Sequence, residues 1–143
     1  MVNGEVKRIL VPLDGSKNSI NGLEEAIRIA KPMNASITGL CVIPTIPPIT
    51  MPGIQSGFRD HMTDAAAKFM VEAKKIVSRN GIVFHGKFIY GIATIDVADF
   101  ANKKKYDLVV IGSHGRSGIK EMFLGSVANS IVHKSKVPVL VVK

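Results

Sequence analysis

The stretch that decides the fold is Asp107 to Ser130, D-L-V-V-I-G-S-H-G-R-S-G-I-K-E-M-F-L-G-S-V-A-N-S. It opens with Leu108-Val109-Val110-Ile111, an apolar run without polar alternation. Such a run suits a strand buried on both faces, as in a parallel sheet. The run stops at Gly112, and Gly115, Gly118 and Gly125 follow, interleaved with Ser113, His114, Arg116 and Ser117. Beyond Gly125-Ser126, Val127, Ala128, Ile131 and Val132 recur on one face of a helix. The order is strand, glycine-rich loop, helix N-terminus. Unpaired amides and the positive end of the helix dipole make that arrangement an anion site.

The pattern is neither a P-loop, since no Gly-Lys-Ser/Thr occurs, nor the dinucleotide fingerprint, whose glycine spacing differs. Taken by mechanism alone it is either a phosphate site or an ordinary glycine-rich connection. The spacing Gly112-x-x-Gly115, nine residues, Gly125-Ser126 resembles the ATP-binding signature of the universal stress protein family, its UspA-like ATP-binding branch. The apolar strand before it and the closing V-P-V-L-V-V (residues 137–142) are similar to that family as well, and the resemblance spans essentially the whole chain.

Outside this stretch the chain alternates strand and helix. Val6–Leu13 reads as the first strand, ending at Asp14-Gly15-Ser16, with Ser16 a helix N-cap. Ile20, Leu23, Ile27 and Ala30 mark the helix that follows, with Pro32 expected just beyond its end. Ala35–Ile43 is the second strand. Pro44–Gly57 holds four prolines and two glycines in fourteen residues and is expected to be an irregular loop, a lid or an apolar surface insertion. Phe58–Asn80 carries a helical stripe of Met62, Ala65, Ala66, Phe69, Ala73, Ile76 and Val77. Ile82–Tyr90 is the third strand, Ile92–Lys104 a helix with Ile95, Ala98 and Ala101 inward, and Val137–Val142 the last strand. Five strands alternating with four helices predict an α/β fold with a parallel sheet, in one domain covering residues 1–143.

The family resemblance implies more than these patterns do. It implies an open, Rossmann-like sheet of the adenine nucleotide alpha hydrolase type, with strand order 3-2-1-4-5 and helices on both faces. That order sets Asp14 and Gly112 on opposite lips of one crevice, where ligands of open sheets bind. It assigns Pro12, Leu13 and Asp14 to the nucleotide pocket, Val42 to the adenine through its backbone, and Ile111 to the base pocket. Gly112, His114, Gly115 and Arg116 are then expected around ribose and phosphates, and Gly125, Ser126 and Val127 as amide donors to the phosphates. The implied cofactor is ATP, with ADP or AMP as alternatives. A Mg2+ or Mn2+ ion on the phosphates would meet Asp14. Ala128 departs from the Ser or Thr that relatives carry there, which bears on the preference among ATP, ADP and AMP.

The last strand carries an inference of its own. Pro138 belongs at a strand start or a sheet edge, and an apolar edge needs cover. Pairing with the same strand of a second copy supplies it, and the family resemblance implies the same homodimer through Val137–Val142.

Composition limits the remaining classes. The 46% hydrophobic share is ordinary for a globule, and no apolar run approaches a membrane span. The opening M-V-N-G-E-V-K-R lacks the apolar core of a signal peptide, and the single cysteine, Cys41, suits a reducing compartment. A cytoplasmic protein with no membrane partner is expected. Net charge is +8, all of it in residues 73–143, which hold twelve basic and four acidic side chains. Those charges are mostly isolated lysines, and Lys103-Lys104-Lys105 reads as a solvated face, so nucleic acid is not the expected partner.

His114 beside phosphates could act as an acid or base, but no partner for it is fixed in the sequence. His61, His85 and His133 make no metal-ligand spacing. The leading expectation is an ATP-binding homodimeric switch or sensor in a stress response, read by a protein partner, with little or no hydrolysis. The alternatives are a slow nucleotide hydrolase or nucleotidyl transferase on the same fold, and a basic nucleic-acid-binding module.

Overall fold

A computed structural model describes residues 4–45, 52–115 and 124–143. Its strands are β1 (Arg8–Pro12), β2 (Ser36–Pro44), β3 (Phe84–Gly91), β4 (Leu108–Gly112) and β5 (Val139–Val142). Its helices are α1 (Lys17–Met33), α2 (Pro52–Arg79), α3 (Ala93–Lys104) and α4 (Ser126–Lys134). All strand pairings are parallel, in the order β3-β2-β1-β4-β5. The α/β class and the implied strand order hold.

Side-chain alternation along the central strands builds two cores. Ile9, Val11 and Val110 point to one face, where Leu23, Ala26, Ile27 and Ala30 of α1 and Ala66, Met70, Ala73 and Val77 of α2 cover them. Leu10, Val109 and Ile111 point to the other, under Val97 and Ala101 of α3 and Ala128 and Ile131 of α4. Strands buried from both sides need apolar residues at every position, hence the unbroken runs in β1 and β4. Each fully buried Leu or Ile contributes about 1.5–3 kcal/mol over its exposed state. The open end of β1 is fixed by Asp107, whose Oδ2 accepts from the Lys7 and Arg8 amides at 2.9 Å each.

Four expectations need correction. Pro32 lies inside α1, in its last turn, and the helix closes at Asn34, whose φ of 52° is left-handed. Proline there loses only one intrahelical N–H, close to where the ladder ends anyway. Pro44 belongs to β2, and Pro52–Gly57 forms the opening turns of α2 rather than loop. A proline is well placed at a first helical position, where no amide is needed; residues 46–51 lie outside the described ones. Met70 is a core residue of α2 that the expected stripe omitted. Ile95 is 45% exposed, and Val97 takes the inward position beside Ala98 and Ala101. Ile95 sits in the first turn of α3.

Candidate functional site

β1 and β4 are neighbours at the centre of the sheet, yet the helices that follow them leave on opposite faces. Their carboxyl ends therefore part and open a cleft of about 250 Å3. One lip is Pro12-Leu13-Asp14, held to β2 by the Leu13 amide donating to the Leu40 carbonyl at 2.8 Å. Asp14 is steadied in turn, its Oδ1 accepting from the Ser16 amide at 2.8 Å. Ser16 caps α1 by accepting from the Ser19 amide at 3.1 Å.

The other lip is Gly112–Gly115, with Gly125 and the first turn of α4 beside it. Two bonds set its shape: the Ser113 amide donates to the Val142 carbonyl at 2.7 Å, and the Gly125 amide to the Ser113 carbonyl at 2.6 Å. The second draws the end of the glycine-rich loop onto its beginning. A Cβ on Gly125 would stand 3.2 Å from the His114 Cα, so a bare backbone is what permits the approach. Gly112 meets α1 in the same way, since a Cβ there would lie 2.7 Å from the Asn18 carbonyl carbon.

Gly125 is the N-cap of α4 and gives no side-chain bond to the helix. The amides of the first turn thus carry the positive end of the helix dipole at the cleft without a built-in cap. Buried Leu40, Val97 and Ile111, together with Val42, make an apolar wall. Ser113, itself buried, places its hydroxyl 3.0 Å from His114 Nδ1. The cleft thus combines an apolar wall, one carboxylate and a helix N-terminus. Such a set suits a ligand with a flat apolar part, hydroxyl groups and an anionic end.

Eleven of the residues expected from sequence come together here: Pro12, Leu13, Asp14, Val42, Ile111, Gly112, His114, Gly115, Gly125, Ser126 and Val127. Arg116 lies outside the described residues. The cleft also holds Ser19, Leu40, Ala93, Val97 and Ser113, which sequence reasoning did not single out, and Ala128. Leu40 precedes Val42 by two on the same strand and so shares its face, a signal that was present. Val97 and Ala93 were not in the inward set expected of that helix, Ile95, Ala98 and Ala101, and only the fold turns their edge toward the cleft. As for metals, no group of three or more His, Cys, Asp or Glu could hold an ion among the described residues. Asp14 is a single carboxylate at the cleft, which fits an ion carried mainly by ligand phosphates and water.

An open parallel sheet with a crevice between the carboxyl ends of β1 and β4, lined by Gly112, Gly115 and Gly125, defines an α/β protein of Rossmann-like type. Residues 5–143 match the universal stress protein family, and the chain belongs to it. Universal stress protein MJ0531 of Methanocaldococcus jannaschii is 32% identical over 145 residues, covering 99% of this chain and 85% of that protein. Among solved structures, MJ0577 of the same organism superposes with a TM-score of 0.85 at 28% identity, covering 96% of this chain and 95% of that one. A universal stress protein from Archaeoglobus fulgidus in complex with dAMP shares the fold, with a TM-score of 0.73 at 20% identity, covering 96% and 98%.

Proposed function

We propose that the cleft binds an adenine nucleotide, ATP before ADP or AMP, and that the protein is a cytoplasmic homodimeric switch or sensor with little or no hydrolysis. The observation that carries this reading is the uncapped N-terminus of α4 meeting Asp14 across one cleft that also has an apolar wall. Adenine lies against Val42, Leu40 and Ile111; Asp14 takes ribose hydroxyls; the amides of Ser126 and Val127 take phosphate oxygens. Gly112, His114 and Gly115 line the ribose and phosphate path, and Arg116 adds a cation to it. The Archaeoglobus protein's complex with dAMP supports an adenine nucleotide as the class of ligand. Mg2+ or Mn2+ would neutralise phosphate charge, with Asp14 as its protein ligand.

A switch needs a ligand that binds two states of the protein unequally. The Gly125–Ser113 bond gives a place for this, because phosphates at the α4 N-terminus would bear on the loop that bond closes. The partner reads that change, and dimerisation through β5 presents two such loops together.

Hydrolysis or nucleotidyl transfer is the second reading, favoured by the Ser113–His114 contact, which fixes an imidazole at the cleft. The two readings separate on the protein purified without added nucleotide. It is denatured, its small molecules are resolved by ion exchange, and adenine nucleotides are counted per chain. Near-stoichiometric ATP is the expected result. ADP or AMP alone favours the enzyme, and an empty protein that also fails to bind added ATP overturns the nucleotide reading.

A further inference from the structure

Every helix follows a strand in a parallel sheet, so all four C-termini gather at the end opposite the cleft. Each carries basic residues in its last turn: Lys31, Arg79, Lys103 with Lys104, and His133 with Lys134. Cations there complement the helix dipoles, which accounts for those residues without any partner. The dipoles do not account for Lys7, Arg8 and Lys136, which lie in no helix but stand at the same end.

Specific bonds draw these segments into one surface. The Arg8 guanidinium lies 4.4 Å over the Tyr106 ring and donates to the Lys104 carbonyl at 2.7 Å. The Lys136 amide donates to Asn102 Oδ1 at 2.8 Å, while Asn102 Nδ2 donates to the Lys134 carbonyl at 3.2 Å. Residues far apart in sequence thus present Lys7, Arg8, Lys103, Lys104, Lys105 and Lys136, all exposed, on one patch. Two carboxylates lie among them. Glu5 pairs with Lys7 at 3.3 Å, and Asp107 is engaged by the Lys7 and Arg8 amides. Neither meets the lysines of the α3 end in an ion pair among the described residues.

Lys103-Lys104-Lys105 alone reads as a solvated face, but its convergence with Lys7, Arg8 and Lys136 changes that reading: we propose that this basic pole docks the sugar-phosphate backbone of nucleic acid, without reading bases, while the cleft at the opposite end serves its own ligand. Charge complementarity identifies the occupant. The aromatic at this patch, Tyr106, is buried beneath Arg8 and unable to stack on a base. A surface of spaced cations lacking an apolar or aromatic anchor suits a regular line of phosphates, and binding of that kind weakens steeply with salt.

The test is fluorescence anisotropy with a labelled mixed-sequence duplex of about 20 base pairs, titrated between about 50 and 200 mM salt. Wild type is compared with two triple variants of equal net charge. One is Lys103→Gln, Lys104→Gln, Lys136→Gln at the pole. The other is Lys68→Gln, Lys87→Gln, Lys143→Gln, away from it. The pole variant is expected to lose about tenfold or more in affinity, and its log-log salt slope to fall by about two to three. The control triple should lose far less. Equal losses in both triples would mean a response to net charge alone and overturn the proposal. So would undetectable binding by wild type, or competition by polyglutamate as effective as competition by unlabelled duplex.

Discussion

Asp14 and Gly115 face each other across the cleft so closely that a Cβ on Gly115 would lie 2.9 Å from Asp14 Oδ2. The two lips come from segments about a hundred residues apart, and the carboxylate occupies the space a side chain at 115 would need. Gly115 is not among the glycines with positive φ, so alanine is not barred there by the backbone.

Gly115→Ala therefore isolates the contact. The carboxylate must move, and adenine nucleotide affinity measured by calorimetry should fall about tenfold, or about 1.4 kcal/mol. If displacement of Asp14 is the cause, the same change made in Asp14→Ala should cost little more, because the group to be displaced is gone. Full additivity of the two losses would refute the coupling.

Gly112 is constrained by backbone, not by a side chain that can swing aside. Its neighbour is the Asn18 carbonyl, and Gly22 on α1 approaches it from the same direction, a Cβ there falling 3.1 Å from the Gly112 amide nitrogen. Gly112→Ala should destabilise by about 1–3 kcal/mol through overpacking, seen as a lower urea midpoint at unchanged slope. Gly22→Ala should cost much less, since the gain of up to about 1 kcal/mol for alanine in a helix offsets a milder contact. A reversed order would mean that α1 can shift away from β4.

The strand at Leu108–Gly112 and the helix from Ser126 were legible because an apolar run, the glycine that stops it and a later helical periodicity agree there; residues 116–123 between them lie outside the described ones. The start of α2 was not, because proline and glycine argue against a helix everywhere except in its first turn, and Pro52 sits there. Pro32 misled at the other end of a helix for a different reason, since in the last turn of α1 it forfeits a single bond just before the ladder stops. The cleft was legible through the family resemblance that the glycine spacing carries, whereas Val97 and Ala93 joined it through packing between α3, α4 and the sheet. A periodicity identifies a buried face but not whether that face ends at core or at a ligand. The convergence of Lys7, Arg8 and Lys136 with the lysine run depends on strand order, which patterns along the chain do not contain.

Asp107 closes the amino end of the sheet. Its half-buried carboxylate takes both the Lys7 and Arg8 amides, at and just before the start of β1. Asp107→Ala leaves both amides to water and should cost about 1–3 kcal/mol, and Asp107→Asn about half of that, since an amide oxygen still accepts. Chemical denaturation of the three proteins checks the order. Equal stability of Asp107→Asn and Asp107→Ala would show that the oxygen's acceptance is not what counts.

The free edge at β5 gives the sharpest test of assembly. The Val109 amide donates to the Pro138 carbonyl and the Ser113 amide to the Val142 carbonyl, so residues 138 and 142 turn their backbone toward β4. By the two-residue period of a strand, Val139 and Val141 turn theirs outward, and Leu140 is 37% exposed. A two-fold partner strand would meet the Val141 amide. Val141→Pro removes that outward donor and spares the bonds to β4. Sedimentation equilibrium should give a dimer for wild type and a monomer for Val141→Pro. Leu140→Arg, which leaves every backbone bond in place, should weaken the dimer by charge at the same edge. A dimer undiminished in both variants would rule out β5 as the interface.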